Sequence, residues 1–291
     1  FKNTYETNLR FPYWLDASRL DFVILTHDHI DHIGRLPLLF KMGFRGRIFC
    51  TSPTNELLEI MLSDTAKILE SEAEYLTKKA NRENGENKAN GGKDKPKREK
   101  SKSKPIKIDP LYTIEDVHNA LTLVKNGGYS YGRWIKLIIN GVQLKFYASG
   151  HVLGGAVCVI RIERDAGSKS YYHIGFSGDL GRKDGIILPP PDMPNESLDC
   201  LFTESTYGGE KHPSRDEEIF ILKETINETI KNHGVILLPS FVLERAQEII
   251  YLLSYLMQSK QIRPINIYLD SPMASKITEV FASYWHKGMF K

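Results

Sequence analysis

Thr26-His27-Asp28-His29-Ile30-Asp31-His32 is the stretch from which the rest of the chain is read. It closes Asp21–Thr26 (DFVILT), a short apolar run with the composition of a buried strand. His27 and His29 lie two residues apart just past that strand, so both can turn a ring nitrogen toward one metal ion. Asp31 and His32 fall at the next turn and can face a second. Neutral imidazole and carboxylate together suit Zn²⁺. The competing reading is a polar turn that happens to be rich in histidine. Leaving several imidazoles without partners in an apolar setting is costly, which favours the metal.

One short motif cannot fill two metal shells, so further ligands are expected at later strand ends. His151 follows a predicted strand in Ala148-Ser149-Gly150-His151-Val152-Leu153-Gly154-Gly155, where the glycines imply close backbone packing. Asp179 follows another in Phe176-Ser177-Gly178-Asp179-Leu180-Gly181-Arg182. A carboxylate has two oxygens and can bridge two metals. Taken alone, a histidine or aspartate at a strand end is more often structural.

Around these motifs the chain alternates strands and helices, giving an α/β fold class. Gly46–Thr51 reads as a strand. Ile33–Met42, the stretch opened by Pro53 and Ile114–Lys125 read as helices. The Pro53 helix should turn Leu57, Leu58, Met61, Leu62, Ile68 and Leu69 inward. Trp134–Asn140, Val142–Ala148, Ala156–Glu163 and Tyr171–Ser177 read as an antiparallel meander. The rhythm then changes. Cys200–Thr203, Val235–Pro239 and Ile265–Leu269 read as strands, separated by a helix capped at Ser214 and another over Leu243–Ser259. That alternation predicts a parallel sheet with crossover helices. The boundary is placed near Pro189-Pro190-Pro191, giving domains 1–195 and 196–291.

The 291 residues carry a net charge of +3, with 41% apolar and 26% charged residues, an ordinary globular composition. The charge is uneven: residues 78–107 hold twelve Lys or Arg against four Asp or Glu, so the remainder is net negative. With almost no large apolar side chains, this segment is expected to be a disordered surface insertion rather than a basic tether for RNA. Cys50, Cys158 and Cys200 each sit in an apolar stretch and are expected to be buried, reduced thiols. With no signal peptide or membrane span in view, an intracellular protein is expected: cytoplasmic, or nuclear if eukaryotic.

The set THDHIDHIGRLP, SGHVLGGA and FSGDLGR resembles the metallo-β-lactamase superfamily, whose domain is an αββα sandwich. Thr203-Glu204-Ser205-Thr206-Tyr207-Gly208, Pro239-Ser240-Phe241 and Leu269-Asp270-Ser271-Pro272-Met273-Ala274 resemble its β-CASP branch, in which a Rossmann-like domain is added and nucleic acids are cut. The flavour is that of RNA-processing nucleases related to the cleavage-and-polyadenylation endonuclease and its prokaryotic relatives. The resemblance implies two Zn²⁺ ions. His27, His29 and His151 would hold one, Asp31 and His32 the other, and Asp179 would bridge them. A hydroxide activated by both metals would attack phosphorus in RNA, with Asp31 orienting it as well as binding metal. Glu204 would be the acid that supports a leaving-group histidine. Ser205, Thr206, Tyr207, Ser240 and Arg245 would touch substrate.

The expected partner is single-stranded RNA, with DNA as an alternative substrate, no membrane, and a homodimer or processing complex as the assembly. Tyr207 and Phe241 are candidates for base stacking, though core packing is the simpler expectation for Phe241. Three features depart from the pattern. The family's late histidine ligand and its leaving-group histidine have no match, and its first strand would precede Phe1; an excerpt truncated at both ends, with a weak second metal site, is therefore expected. Glu244 stands where family members commonly have glycine, and puts an acid beside Arg245. His118, His173, His212, His233 and His286 lie outside any family context and are expected to be ordinary packing or surface residues. Two other readings compete: a hydrolase of a small ester or thioester on the same fold, and a non-catalytic scaffold subunit of an RNA-processing complex.

Overall fold

The computed structural model describes residues 11–89 and 105–290. Two sheets organise the first two-thirds of them. β1 (Phe22–Ile24) and β2 (Arg47–Phe49) form a parallel pair. The second sheet has five strands in the order β3 (Ile135–Lys136), β4 (Val142–Ala148), β5 (Ala156–Glu163), β6 (Tyr171–Phe176) and β7 (Cys200–Phe202). β3 to β6 are antiparallel neighbours, as the meander predicted, and β7 joins β6 in parallel. Phe49 from the small sheet packs with Leu137, Leu144, Phe146, Ala156 and Cys158 from the large one. Apolar alternation on β4 and β5 thus closes one face of the large sheet over the small one.

Short helices α1 (Ile30–Ile33) and α2 (Leu36–Lys41), then α3 (Ser52–Ala89) and α4 (Ile114–Leu121), complete this part. The single helix expected over Ile33–Met42 is broken at Gly34-Arg35. Pro37 lies in the first turn of α2 and has no N–H to continue the ladder from α1. α3 buries Leu57, Leu58, Met61 and Leu62 as expected, but Ile68 is exposed. α4 carries a capping box, Thr113 with Asp116, and stops short of Lys125 because Leu123 leaves to accept Ile48 N–H at 3.1 Å beside β2.

The basic insertion is shorter than residues 78–107. α3 runs on to Ala89, and the returning chain is clipped to it. Asn81 donates to Ile106 O at 2.8 Å and accepts Ile106 N–H at 3.0 Å, while Thr77 Oγ1 accepts Ile108 N–H at 2.9 Å. Residues 90–104 of the predicted insertion lie outside the described residues.

Beyond β7 come α5 (Arg215–Lys231), α6 (Arg245–Gln258) and α7 (Pro272–Trp285). Ser214 caps α5 by accepting Glu217 N–H, as its position predicted. The strands expected at Val235–Pro239 and Ile265–Leu269 do not form among the described residues. A strand needs a partner backbone, and here Val235, Leu237 and Tyr268 are exposed instead. Helix α7 was not anticipated, although Ser271 caps it, Pro272 opens it and Ile277, Phe281 and Tyr284 recur at helical spacing on its buried side. Those three join Leu243 in the same core as Leu57, Leu58, Val152 and Leu153. Cys50 and Cys158 are buried thiols, but Cys200 is exposed on β7, whose three residues all face solvent.

Candidate metal centre

The turns that leave β1, β4, β6 and β7 at their C-terminal ends gather at one edge of the structure. Ala156 N–H donates to Thr26 O at 2.8 Å, tying the end of β1 to β5. Gly181 N–H donates to Ser149 O at 2.9 Å, tying the turn after β6 to the turn after β4. Each strand end presents one ionisable side chain or a set of them: His27 to His32, His151, Asp179 and Glu204.

His27, His29, His151 and Asp179 each offer a ligand atom, and these four atoms lie within 4.8 Å of one another. His151 Nε2 is 3.2 Å from His29 Nδ1. Asp179 Oδ2 stands 3.6 Å from His27 Nε2 and 3.4 Å from His151 Nε2. Its other oxygen, Oδ1, is 3.3 Å from His32 Nε2, which is itself 3.5 Å from Asp31 Oδ2. The carboxylate of Asp179 therefore faces one group of imidazoles with one oxygen and His32 with the other. His27 Nε2 is buried without a hydrogen-bond partner, an arrangement that a cation resolves. Three imidazoles and a carboxylate in this spacing fit a metal ion of the zinc type.

Electrostatics favour neutral imidazoles. Burial, then the neighbouring His32, His29 and His151, push His27 down to about 2. His29 and His151 are lowered as well, in both cases chiefly by burial. A lone pair on each ring is thus free to bind metal at neutral pH. The same shift makes the metal-free protein acid-sensitive. The unfolded His27 takes up a proton near 6.5 and the folded one only near 2, so its contribution to stability falls as pH drops through that window. Urea unfolding of metal-free protein between pH 8 and pH 4 should show a steeper loss for wild type than for His27→Asn; equal slopes would contradict this.

Asp28, between the two leading histidines, plays no part in the cluster. It is fully buried, neither oxygen has a hydrogen-bond partner, and burial pushes its carboxyl well above the ordinary range, with nearby Thr54 opposing weakly. Glu204 does not reach a histidine through a hydrogen bond. Its Oε1 accepts Leu180 N–H at 3.1 Å and its Oε2 accepts Thr206 N–H at 3.0 Å. Burial raises this carboxyl, but those two N–H groups and the nearby His151 outweigh it and leave it below the usual range. Glu204 thus holds the residue next to Asp179.

A metallo-β-lactamase superfamily domain matches over residues 4–172, and a Beta-Casp domain over residues 246–289. The chain belongs to the metallo-β-lactamase superfamily. Within it, the second match and the relatives place it in the β-CASP branch, and its fold class is the α/β type of those two domains. Ribonuclease TTHA0252 of Thermus thermophilus is 30% identical over 97% of the chain, which covers 53% of that protein. Endoribonuclease ysh1 of Schizosaccharomyces pombe is 31% identical over 92% of the chain, covering 30% of its length. Cleavage and polyadenylation specificity factor subunit 3-I of Arabidopsis thaliana is 29% identical over 96% of the chain, covering 34%. The chain therefore spans about half the length of the first of these relatives and about a third of the others.

Of the residues expected to touch substrate in this β-CASP chain, Ser205, Thr206 and Tyr207 form an exposed turn directly after Glu204. The Tyr207 ring packs edge-on against His212, with centroids 4.4 Å apart. Ser240 is exposed. Arg245, at the start of α6, is ion-paired with Glu248, which also accepts from Arg215 at 3.0 Å. Arg215 and Arg182 share Glu218, at 3.0 and 3.2 Å. A chain of charges thus runs from α6 through α5 to the turn that carries Asp179. Phe241 departs from expectation: it is 79% exposed, and its ring centroid lies 6.4 Å from that of His29. Nothing in the sequence marks the outward turn of its side chain. No helix among the described residues is long and apolar enough to cross a membrane.

Proposed function

We propose that this chain carries the metal centre of a zinc-dependent hydrolase that cleaves phosphodiester bonds of RNA. The observation that carries the reading is Asp179, whose two oxygens face the His27–His151 group and His32 at 3.3 to 3.6 Å. His27, His29 and His151 would hold one zinc ion, Asp31 and His32 a second, and Asp179 both. Zinc held by these residues would supply Lewis acidity toward a phosphoryl oxygen and would lower the pKa of a water toward neutrality. Asp31, with its side chain 78% exposed, would orient the attacking water as well as bind metal. Glu204 acts on the site through Leu180 N–H, as a positioning residue.

RNA is favoured over a small ester by the printed names of the relatives, two ribonucleases and a polyadenylation factor, and by the β-CASP match. Ser205, Thr206, Tyr207, Ser240 and Arg245 would then line the strand's path. Exposed rings at Tyr207 and Phe241 would stack on bases, a contact tolerant of sequence. A place inside the cell and within a processing complex accords with that substrate.

The test is chemical. Full-length protein, stripped with a chelator and reloaded with zinc, should cleave end-labelled single-stranded RNA only in the reloaded form. Hydrolysis of a thioester with no cleavage of RNA would move the chain to the small-molecule reading. Less than one zinc per chain, with neither activity, would favour a scaffold with a degenerate site.

A further inference from the structure

Glu244 combines two costs in one residue. Its backbone has φ +70° and ψ −57°, a region that residues other than glycine seldom enter. Arg245 N–H donates to Leu243 O across it at 3.0 Å, closing a γ-turn of the rarer, strained kind. Its carboxyl is also desolvated: burial, and then Glu248 beside it, push it up to about 8. Strained backbone persists only where the surroundings over-determine it, and it clusters at functional sites.

The surroundings here are specific. Leu243 is buried in the core, Phe241 O accepts Ala246 N–H at 3.1 Å, and Val242 O accepts from Gln247 at 3.1 Å. Held this way, the turn aims the Glu244 side chain at the loop after β4, where Oε2 accepts Leu153 N–H at 3.2 Å. That loop carries His151 two residues earlier. Gly150 and Gly154, with φ +65° and +84°, bracket the segment, which Thr51 holds from one side by donating to Gly154 O at 2.8 Å. A half-buried acceptor at the N-terminus of α6 ties the other side of the loop, two residues from a candidate ligand.

We propose that Glu244 is a positioning residue for the metal centre, fastening the N-terminus of α6 to the loop that carries His151 and so fixing where that imidazole stands. The proposal rests on the metal-centre reading above. It also explains why an acid is tolerated where the family resemblance leads one to expect glycine: the carboxylate is taken up by Leu153 N–H.

Glu244→Gly and Glu244→Gln separate this role from a merely structural one. Glycine fits the γ-turn without strain, so metal-free Glu244→Gly should unfold at or above the wild-type temperature, yet its zinc affinity should fall by roughly 10–100-fold, the range for groups that orient a ligand. Glutamine keeps an acceptor oxygen at the same reach, and Glu244→Gln should bind zinc close to wild type. Cobalt, substituted because zinc is spectroscopically silent, should give an altered absorption spectrum in Glu244→Gly and an unaltered one in Glu244→Gln. Wild-type zinc affinity and spectrum in Glu244→Gly would overturn the proposal, as would an equal loss in both variants. Wild-type protein that binds no zinc would instead defeat the metal-centre reading itself, and this proposal with it.

Discussion

Asp179→Ala is expected to empty the whole metal centre and to lower RNA cleavage by about 10³-fold or more, whereas His32→Ala should leave one metal in place. The reason is the division of labour between the carboxylate oxygens. Oδ2 faces His27 and His151, and Oδ1 faces His32, so one truncation removes a ligand from both groups. It also removes the carboxylate oxygen 3.6 Å from His27 Nε2, which has no hydrogen-bond partner. Loss of a single preorganised donor at a reacting centre costs about 10²–10³ in rate, and loss of a shared ligand should exceed that. Zinc per chain, measured with the cleavage rate on the same samples, decides the matter. Asp179→Ala that keeps one tightly bound zinc would mean that the carboxylate serves only one side.

Gly181→Ala should be as damaging without touching a ligand. A Cβ built there would stand 1.8 Å from Gly150 O, 2.1 Å from Gly150 C and 2.7 Å from His151 N. All three atoms are backbone, so no side chain can swing aside. The turn carrying Asp179 and the turn carrying His151 meet there main chain to main chain, joined by Gly181 N–H to Ser149 O at 2.9 Å. One methyl group must push the two ligand-bearing turns apart. Overpacking of this kind costs about 1–3 kcal/mol where neighbours can yield, and more is expected where they cannot. Zinc binding should fail even if the chain folds. Gly167→Ala is the control for zinc content: a Cβ there meets nothing within 4 Å, although its φ of +77° costs a left-handed alanine about 1–2 kcal/mol of stability. Equal melting temperatures and zinc contents for Gly181→Ala and wild type would refute the close-contact account.

How far the site could be read from residues alone follows from the physics of each part. That His27, His29, His151 and Asp179 come together was legible because metal ligands are of few residue types and because strand ends gather at one edge of a sheet. β4 and β5 were legible to the residue, since apolar alternation and turn glycines specify them locally. The segments Val235–Pro239 and Ile265–Leu269 carry the same local pattern, yet a strand is defined by a neighbour that local pattern does not supply. The extent of α3 was misjudged because residues 78–89 have no apolar face, whereas Thr77 and Asn81 hold the returning chain by hydrogen bonds that hydropathy does not register. The outward turn of Phe241 and the inward turn of Glu244 hang on backbone angles at one γ-turn, and a glutamate gives no warning of positive φ. The hydrogen bonds of Glu204 go to Leu180 and Thr206 N–H, which only the fold brings near.

The central claim is that His27, His29 and His151 on one side, and His32 with Asp31 on the other, share Asp179 as the ligands of two zinc ions. Anomalous diffraction from crystals of the zinc-loaded, full-length protein, collected on both sides of the zinc absorption edge, tests it most directly. The account predicts two peaks flanking the Asp179 carboxylate, one within the His27–His29–His151 group and one beside His32. A zinc-loaded crystal with no anomalous peak at these residues, or with its zinc bound elsewhere on the chain, would contradict it.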